Sequence, residues 1–185
     1  MAIKHLTTAE LEAGLENISK SPKDNGVIEM IVRRPEVDRR EVLTEAKLDL
    51  IEGLVGDNWK PRGSKKTSDG SAHPEMQINI MNSRVIQLLT QDKERWQQAG
   101  DQLFIDMDLS AENLPAGTRL KLGTAVLEIT SIPHAGCVKF SGRFGQDAIK
   151  FVNSPLGKEL HLRGVNARVI AAGTILVGDE VTKIA

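Results

Sequence analysis

The stretch Leu120-Lys121-Leu122-Gly123-Thr124-Ala125-Val126-Leu127-Glu128-Ile129 decides the fold. Leu120 and Leu122 alternate with a polar residue, Gly123 and Thr124 punctuate, and a second apolar run follows. That is the pattern of strand, tight turn, strand. The same apolar positions and glycine recur at the C-terminal end, in Ile175-Leu176-Val177-Gly178-Asp179-Glu180-Val181-Thr182-Lys183-Ile184. Hairpins of this kind with no βαβ rhythm predict a mainly β protein. The expected architecture is a closed or partly closed β-barrel with a few peripheral helices.

Outward from these repeats, other short strands come into view. Val27 to Val32 is an apolar run closed by Arg33-Arg34-Pro35. Met76, Ile78 and Ile80 alternate with Gln77 and Asn79, and Leu103, Ile105, Met107 and Leu109 do so around Asp106 and Asp108. Residues 54–75, rich in Gly, Lys, Ser, Asp and Pro, form a long loop placed to cover a site. One helix starts at an Asn82 or Ser83 cap, carries Val85, Leu88, Leu89, Asp92 and Trp96 near one face, and stops at Gly100. Residues 143–160 predict short helical pieces split at Ser154-Pro155. Ahead of the barrel, Thr7 to Glu10 is a capping box opening a small amphipathic helix striped by Leu11, Leu15 and Ile18. Residues 1–23 are therefore an expected helical appendage, and residues 24–185 the barrel domain.

Composition narrows the function. The 185 residues are 40% apolar and 26% charged, as in ordinary soluble domains. Only six are aromatic (Phe 4, Trp 2, Tyr 0), so the core rests on aliphatic side chains. A formal net charge of −1 removes the basic excess of a phosphate-tracking nucleic-acid binder. The start has no signal-peptide h-region, and the longest apolar stretch, Val169 to Val177, falls short of the roughly 20 residues a membrane span needs. The expectation is a cytoplasmic protein without a membrane partner.

The chain has a single cysteine, Cys137, which excludes an intramolecular disulfide, a Cys-only zinc site and a cluster held by its own thiolates. The four histidines show no paired ligand spacing, and no phosphate-loop, dinucleotide-binding or GxSxG motif occurs. Cys137 lies in Pro133-His134-Ala135-Gly136-Cys137-Val138-Lys139, where proline and glycine force an irregular turn. A lone cysteine in a small-residue turn is more often a buried hydrophobe. Cationic neighbours weigh the other way: His134, Lys139 and Arg143 would favour a thiolate, which can be a nucleophile, a persulfide carrier or a soft metal ligand.

Five segments occur together in one order: Gly53-Leu54-Val55-Gly56-Asp57, Gly100 to Ile105, Leu114 to Gly123, Pro133 to Cys137, and Val177 to Val181. In this the chain, from about Val27 to its end, resembles the MOSC domain family, named for the C-terminal domain of molybdenum cofactor sulfurases. The resemblance implies a barrel like that of pyruvate kinase and association with the molybdenum cofactor (molybdopterin). The family's cysteine, molybdenum ligand or sulfur carrier, falls on Cys137, with His134 and Lys139 as the groups that would keep it ionised. The resemblance also places Gln77, Asn82, Asp101 and Gln102 where the family lines its pocket. Arg84, Arg119 and Arg143 are then candidates for the cofactor phosphate, because a guanidinium fork binds phosphate at two points.

Two departures stand out: Gln102 replaces a frequent Asn, and Glu75-Met76 stand where an Arg commonly precedes the Gln77 position. The chain has no room for a pyridoxal-phosphate desulfurase domain, so sulfur or electrons would come from a partner protein. Three functions remain open at this level. They are a cofactor-binding or sulfur-carrier protein, the catalytic subunit of a molybdenum-dependent reductase of N-hydroxylated compounds, and a non-enzymatic small-ligand barrel. Whether Cys137 faces a cleft lined by Arg or Lys from other strands separates the first two from the third.

Overall fold

A computed structural model describes residues 2–185. In chain order the strands are β1 (Gly26–Arg33), β2 (Glu41–Leu43), β3 (Glu45–Asp49), β4 (Gly53–Leu54), β5 (Ile78–Asn82), β6 (Leu103–Asp106), β7 (Arg119–Leu122), β8 (Ala125–Ile129), β9 (Val165–Ala171), β10 (Gly173–Leu176) and β11 (Glu180–Ile184). The α-helices are α1 (Thr8–Ala13), α2 (Leu15–Ser19), α3 (Trp59–Arg62), α4 (Ser83–Thr90), α5 (Val138–Phe144), α6 (Gln146–Asn153) and α7 (Pro155–Glu159).

Seven strands close into the barrel, in the order β1-β11-β7-β8-β9-β5-β6 and back to β1. Closure removes the free edges that an open sheet would expose. All neighbours are antiparallel except β5 and β6, which run parallel because α4 carries the chain across between them. β2 extends β1, and a separate small sheet runs β10-β3-β4.

The β7–β8 hairpin is the one the glycine pattern predicts, with Leu122 opposite Ala125. The C-terminal copy differs. β10 and β11 do not pair with each other: β10 lies against β3, while β11 joins β7 and β1. Its glycine turn, in which the Asp179 amide donates to the Leu176 carbonyl and the Leu176 amide to the Asp179 carboxylate, is a corner between two sheets. The repeat reports a turn, not its partners.

Two cores share the barrel wall. Ile28, Leu103, Ile105, Leu120 and Leu127 fill the interior. Met30, Val32, Met81 and Phe104 point outward from the same strands and pack under Leu11, Ile18, Phe140, Phe144 and Phe151 of the helices. Each such side chain contributes about 1.5–3 kcal/mol by leaving water. The Thr7–Glu10 capping box forms as the sequence predicts, and the N-terminal helix breaks at Gly14, where a Cβ would strike Leu88 of α4.

The helix expected to run from Ser83 to Gly100 is two helices. Asn82 caps α4, Gln91 ends it in the left-handed region (φ +57°), and Asp92 caps a 3-10 helix over Lys93–Ala99. Asp92, placed on the apolar face by periodicity, is instead the cap that restarts the chain. The polar stretch 54–75 is also more than a cover, because it holds α3, whose Trp59 is buried, and the buried Asp57.

Candidate functional site

Between β8 and α5 the chain is pinned rather than loose. The Thr130 hydroxyl donates to the Glu75 carbonyl (2.7 Å), and Asn166 Nδ2 donates to the Ile132 carbonyl (3.0 Å). Asn153 grips Gly136 twice: its Oδ1 accepts from the Gly136 amide (2.9 Å) and its Nδ2 donates to the Gly136 carbonyl (3.1 Å). A Cβ at Gly136 would stand 3.2 Å from side-chain carbons of Ile149 and Val152, a tight fit that glycine avoids. These contacts set the next residue, Cys137, at the start of α5 with its side chain exposed.

Cys137 faces a cleft of about 330 Å³ that also meets Arg34, Arg40, Arg62, Lys139, Arg143 and Arg163, together with Asp38, Asn58, Asn79, Gly100 and His134. The cations come from the segment after β1, α3, α5 and the turn into β9. Two are fixed by buried carboxylates. Arg34 makes a two-point pair with Asp57 (Nε–Oδ1 3.0 Å, Nη2–Oδ2 2.6 Å) and also donates to the Gly100 carbonyl. Arg163 donates to Asp101 (2.7 Å) and to the Ala99 carbonyl (3.0 Å). Lys139 and Arg143 each stand 3.5 Å from the exposed Asp38. Arg40 and Arg62 have no acidic partner within ion-pair distance among the described residues, and burial together with neighbouring guanidinium groups holds both below the usual arginine range.

 The cleft therefore holds more positive charge than its own acids neutralise.

Beneath it lie Asp101, wholly buried, and His134, whose Nδ1 is 3.6 Å from Asp101 Oδ1, too far for a hydrogen bond. Burial raises the Asp101 carboxyl, with Arg163 opposing it. Burial, and then the charges of Arg163, Arg34 and Lys66, push His134 well below the ordinary imidazole value of 6.5. His134 is thus neutral at pH 7. It cannot be the cation expected to keep Cys137 ionised, since it sits among guanidinium groups that expel a further positive charge.

Six buried side-chain polar atoms lack a hydrogen-bond partner among the described residues. Four of them (Arg40 Nε, Asn58 Oδ1, His134 Nδ1 and Arg163 Nε) belong to residues of this cleft, and a fifth is Asp101 Oδ1 behind it. Buried polar groups are normally satisfied, so these atoms have hydrogen-bonding capacity left for solvent or a polar ligand.

The other expected residues divide into supports and outsiders. Gln102 Oε1 accepts from the Asn79 amide, and its Nε2 donates to Asp57 and to the Gln77 carbonyl. Gln77 bridges the Leu50 carbonyl and the Val169 amide. Both are buried and hold the floor, as Asp101 does. Asn82, Arg84 and Arg119 are not brought to the cleft. Asn82 bonds Ser21 and the Met107 carbonyl, Arg84 pairs with Asp106 (2.8 Å), and Arg119 pairs with Glu128 on the β7–β8 surface. Arg84 has its charge satisfied there, and the Asp106 hydrogen bond raises it above the usual arginine range. Arg34, Arg40, Arg62 and Arg163, which no sequence motif singled out, line the cleft instead.

The molecule is a closed β-barrel with one exposed thiol at the edge of an arginine-lined cleft. The chain matches the MOSC domain family over residues 67–182, and it belongs to that family. No curated protein matches the sequence. Among solved structures, the APC1665 YuaD protein from Bacillus subtilis superposes with a TM-score of 0.64 at 16% identity, over 85% of this chain and 94% of that one. A hypothetical protein gives 0.58 at 18% identity, over 87% and 68%. YiiM from Escherichia coli gives 0.54 at 17% identity, over 86% and 70%. At these identities the likeness establishes the shared fold.

Proposed function

We propose that this MOSC barrel binds the molybdenum cofactor in the cationic cleft and presents Cys137 to it, as molybdenum ligand or as sulfur carrier. The observation that carries the reading is the meeting of an exposed thiol, six cationic side chains and four unsatisfied buried polar atoms in one cavity.

The residues fit the group. Arg40 and Arg62, without acidic partners, are placed to receive a phosphate, and Arg143 and Lys139 add charge at the rim. Asn58 Oδ1 offers an acceptor for an N–H of a heterocycle. Among the described residues no three His, Cys, Asp or Glu side chains gather to hold an ion, so a metal here would come within an organic ligand. When bound, the cofactor would supply redox or sulfur-accepting chemistry at molybdenum. The protein's share is to neutralise the anion, to orient it by the arginine forks, and to hold a soft sulfur donor beside it. Exposure of Cys137 also leaves it within reach of a partner that loads sulfur onto it as a persulfide.

Molybdenum and pterin are measured in protein purified from a cofactor-competent host, for wild type, Cys137→Ser and Arg40→Gln/Arg62→Gln. The reading expects cofactor in the wild type and its loss in the double arginine variant. Mass spectrometry of Cys137 after incubation with a cysteine desulfurase and cysteine separates the two uses of the thiol. A protein that neither retains cofactor nor gains a sulfur atom overturns the proposal.

A further inference from the structure

A second cavity, about 610 Å³, lies on the other side of the segment that leads to Cys137. His134 and Arg163 line both spaces and form the partition between them. The two cavities have opposite chemistry. Leu114, Ile129, Ile132, Val152 and Val165 make the larger one mostly apolar, and no Asp or Glu lines it.

Several of its polar wall atoms are already engaged within the protein, although His134 Nδ1 and Arg163 Nε in the partition lack partners. Thr130 Oγ1 donates to the Glu75 carbonyl, Asn153 is closed on Gly136, and Asn166 is spent on Asn79 and on the Ile132 carbonyl. His161 adopts the left-handed conformation (φ +49°), and its Nδ1 lies 2.7 Å from the Leu109 carbonyl, so Nδ1 carries the proton and donates there. A polar ligand body would find few free partners. The exception is charge: Lys158, at the end of α7, lines the cavity and has no acidic partner within ion-pair distance among the described residues. Arg163 adds a second positive group, though one already committed to Asp101.

From this pairing of an apolar chamber with an unmatched cation we infer that the larger cavity is a separate binding site for a small carboxylate with an apolar body. The volume suits a ligand of ordinary metabolite size, and burial of its hydrocarbon part drives association. Lys158 selects the anionic end. This site stands independently of the cofactor reading, since neither Cys137 nor the unpaired arginines line it.

Isothermal titration of the full chain with hexanoate, hexan-1-ol and acetate tests it. Hexanoate is expected to bind, hexan-1-ol about tenfold more weakly, and acetate not measurably. Ala111→Trp and Ala116→Trp, at exposed positions of the cavity wall where a fold defect is not expected, should abolish hexanoate binding, with circular dichroism confirming the fold. Lys158→Gln should bring hexanoate to the level of hexan-1-ol, and Arg143→Gln should leave hexanoate binding unchanged. The inference is overturned by absence of hexanoate binding, by acetate matching hexanoate, by unchanged binding in both tryptophan variants, or by loss of binding in Arg143→Gln. Molybdenum content of Ala116→Trp, equal to that of wild type, keeps this result distinct from the fate of the cofactor reading.

Discussion

Arg34, just after β1, and Asp57 of the segment after β4 form a two-point ion pair at 2.6 and 3.0 Å, with side chains only 5% and 0% exposed. The same carboxylate accepts from the amides of Arg34 and Trp59 and from Gln102 Nε2. One anion thus ties the barrel wall, α3 and the turn after Gly100 into the floor of the cleft.

Removing that anion leaves Arg34 buried and unpaired. Asp57→Asn is expected to cost about 3–5 kcal/mol of folding stability in chemical denaturation. Asp106→Asn, which breaks the more open pair with Arg84, is expected to cost less than about 1 kcal/mol. Equal costs for the two would refute the floor role.

Cys137 is exposed, and its side chain makes no hydrogen bond. Cys137→Ser should therefore change stability by no more than about 0.5 kcal/mol. A thiol reagent should label the native wild-type protein stoichiometrically without denaturant; protection until unfolding would contradict the geometry.

The neutral state of His134 sets a pH dependence. Its folded pKa lies well below 6.5 while its unfolded value is ordinary, so the unfolded chain takes up the proton first as pH falls. Stability from this group is full above pH 6.5 and declines as pH drops from there toward the folded pKa. Thermal melts over that window should show a steeper loss for wild type than for His134→Gln, which has no proton to gain. Parallel pH profiles would show that His134 is not the responsible group.

Gly164 has φ +114°, and a Cβ there would run into the Ile80 carbonyl and approach His134 Nδ1. Gly164→Ala should destabilise the protein by about 1–3 kcal/mol through the strained backbone alone. It should also displace His134, seen as a changed imidazole NMR signal.

Asn153 holds the Cys137 turn through both backbone groups of Gly136. Asn153→Ala leaves that amide and carbonyl without their partner and is expected to cost about 1–3 kcal/mol. Limited proteolysis should find residues 133–137 cut faster than in wild type, and an unchanged cleavage pattern would count against the clamp.

Much of the fold is legible in the sequence because its signals are local. Glycine at 123 and alternation on both sides specify the β7–β8 hairpin, and Thr7 with Glu10 specifies a helix start, each within a few residues. The signal weakens where partners are distant. The Ile175–Ile184 copy of the hairpin pattern makes a corner, because sheet neighbours are chosen by the closing barrel and not by the turn. The helix from Ser83 breaks at Gln91, since the polar Thr90 and Asp92 are drawn into capping bonds.

The candidate site was legible at one point, Cys137, together with Lys139 and Arg143 a few residues on. Arg84 and Arg119 looked equally suited to an anion, yet Asp106 and Glu128 hold them elsewhere. Arg34, Arg40, Arg62 and Arg163 carried no signal, because a buried arginine is spelled like an exposed one. The sequence by itself determined a β-rich chain with glycine turns, a single thiol in a forced turn, and the family pattern around it. Only the tertiary structure decided which cations surround that thiol and that His134 beside them is neutral. Charge density and desolvation belong to places where segments far apart in the chain converge, and no local pattern records them.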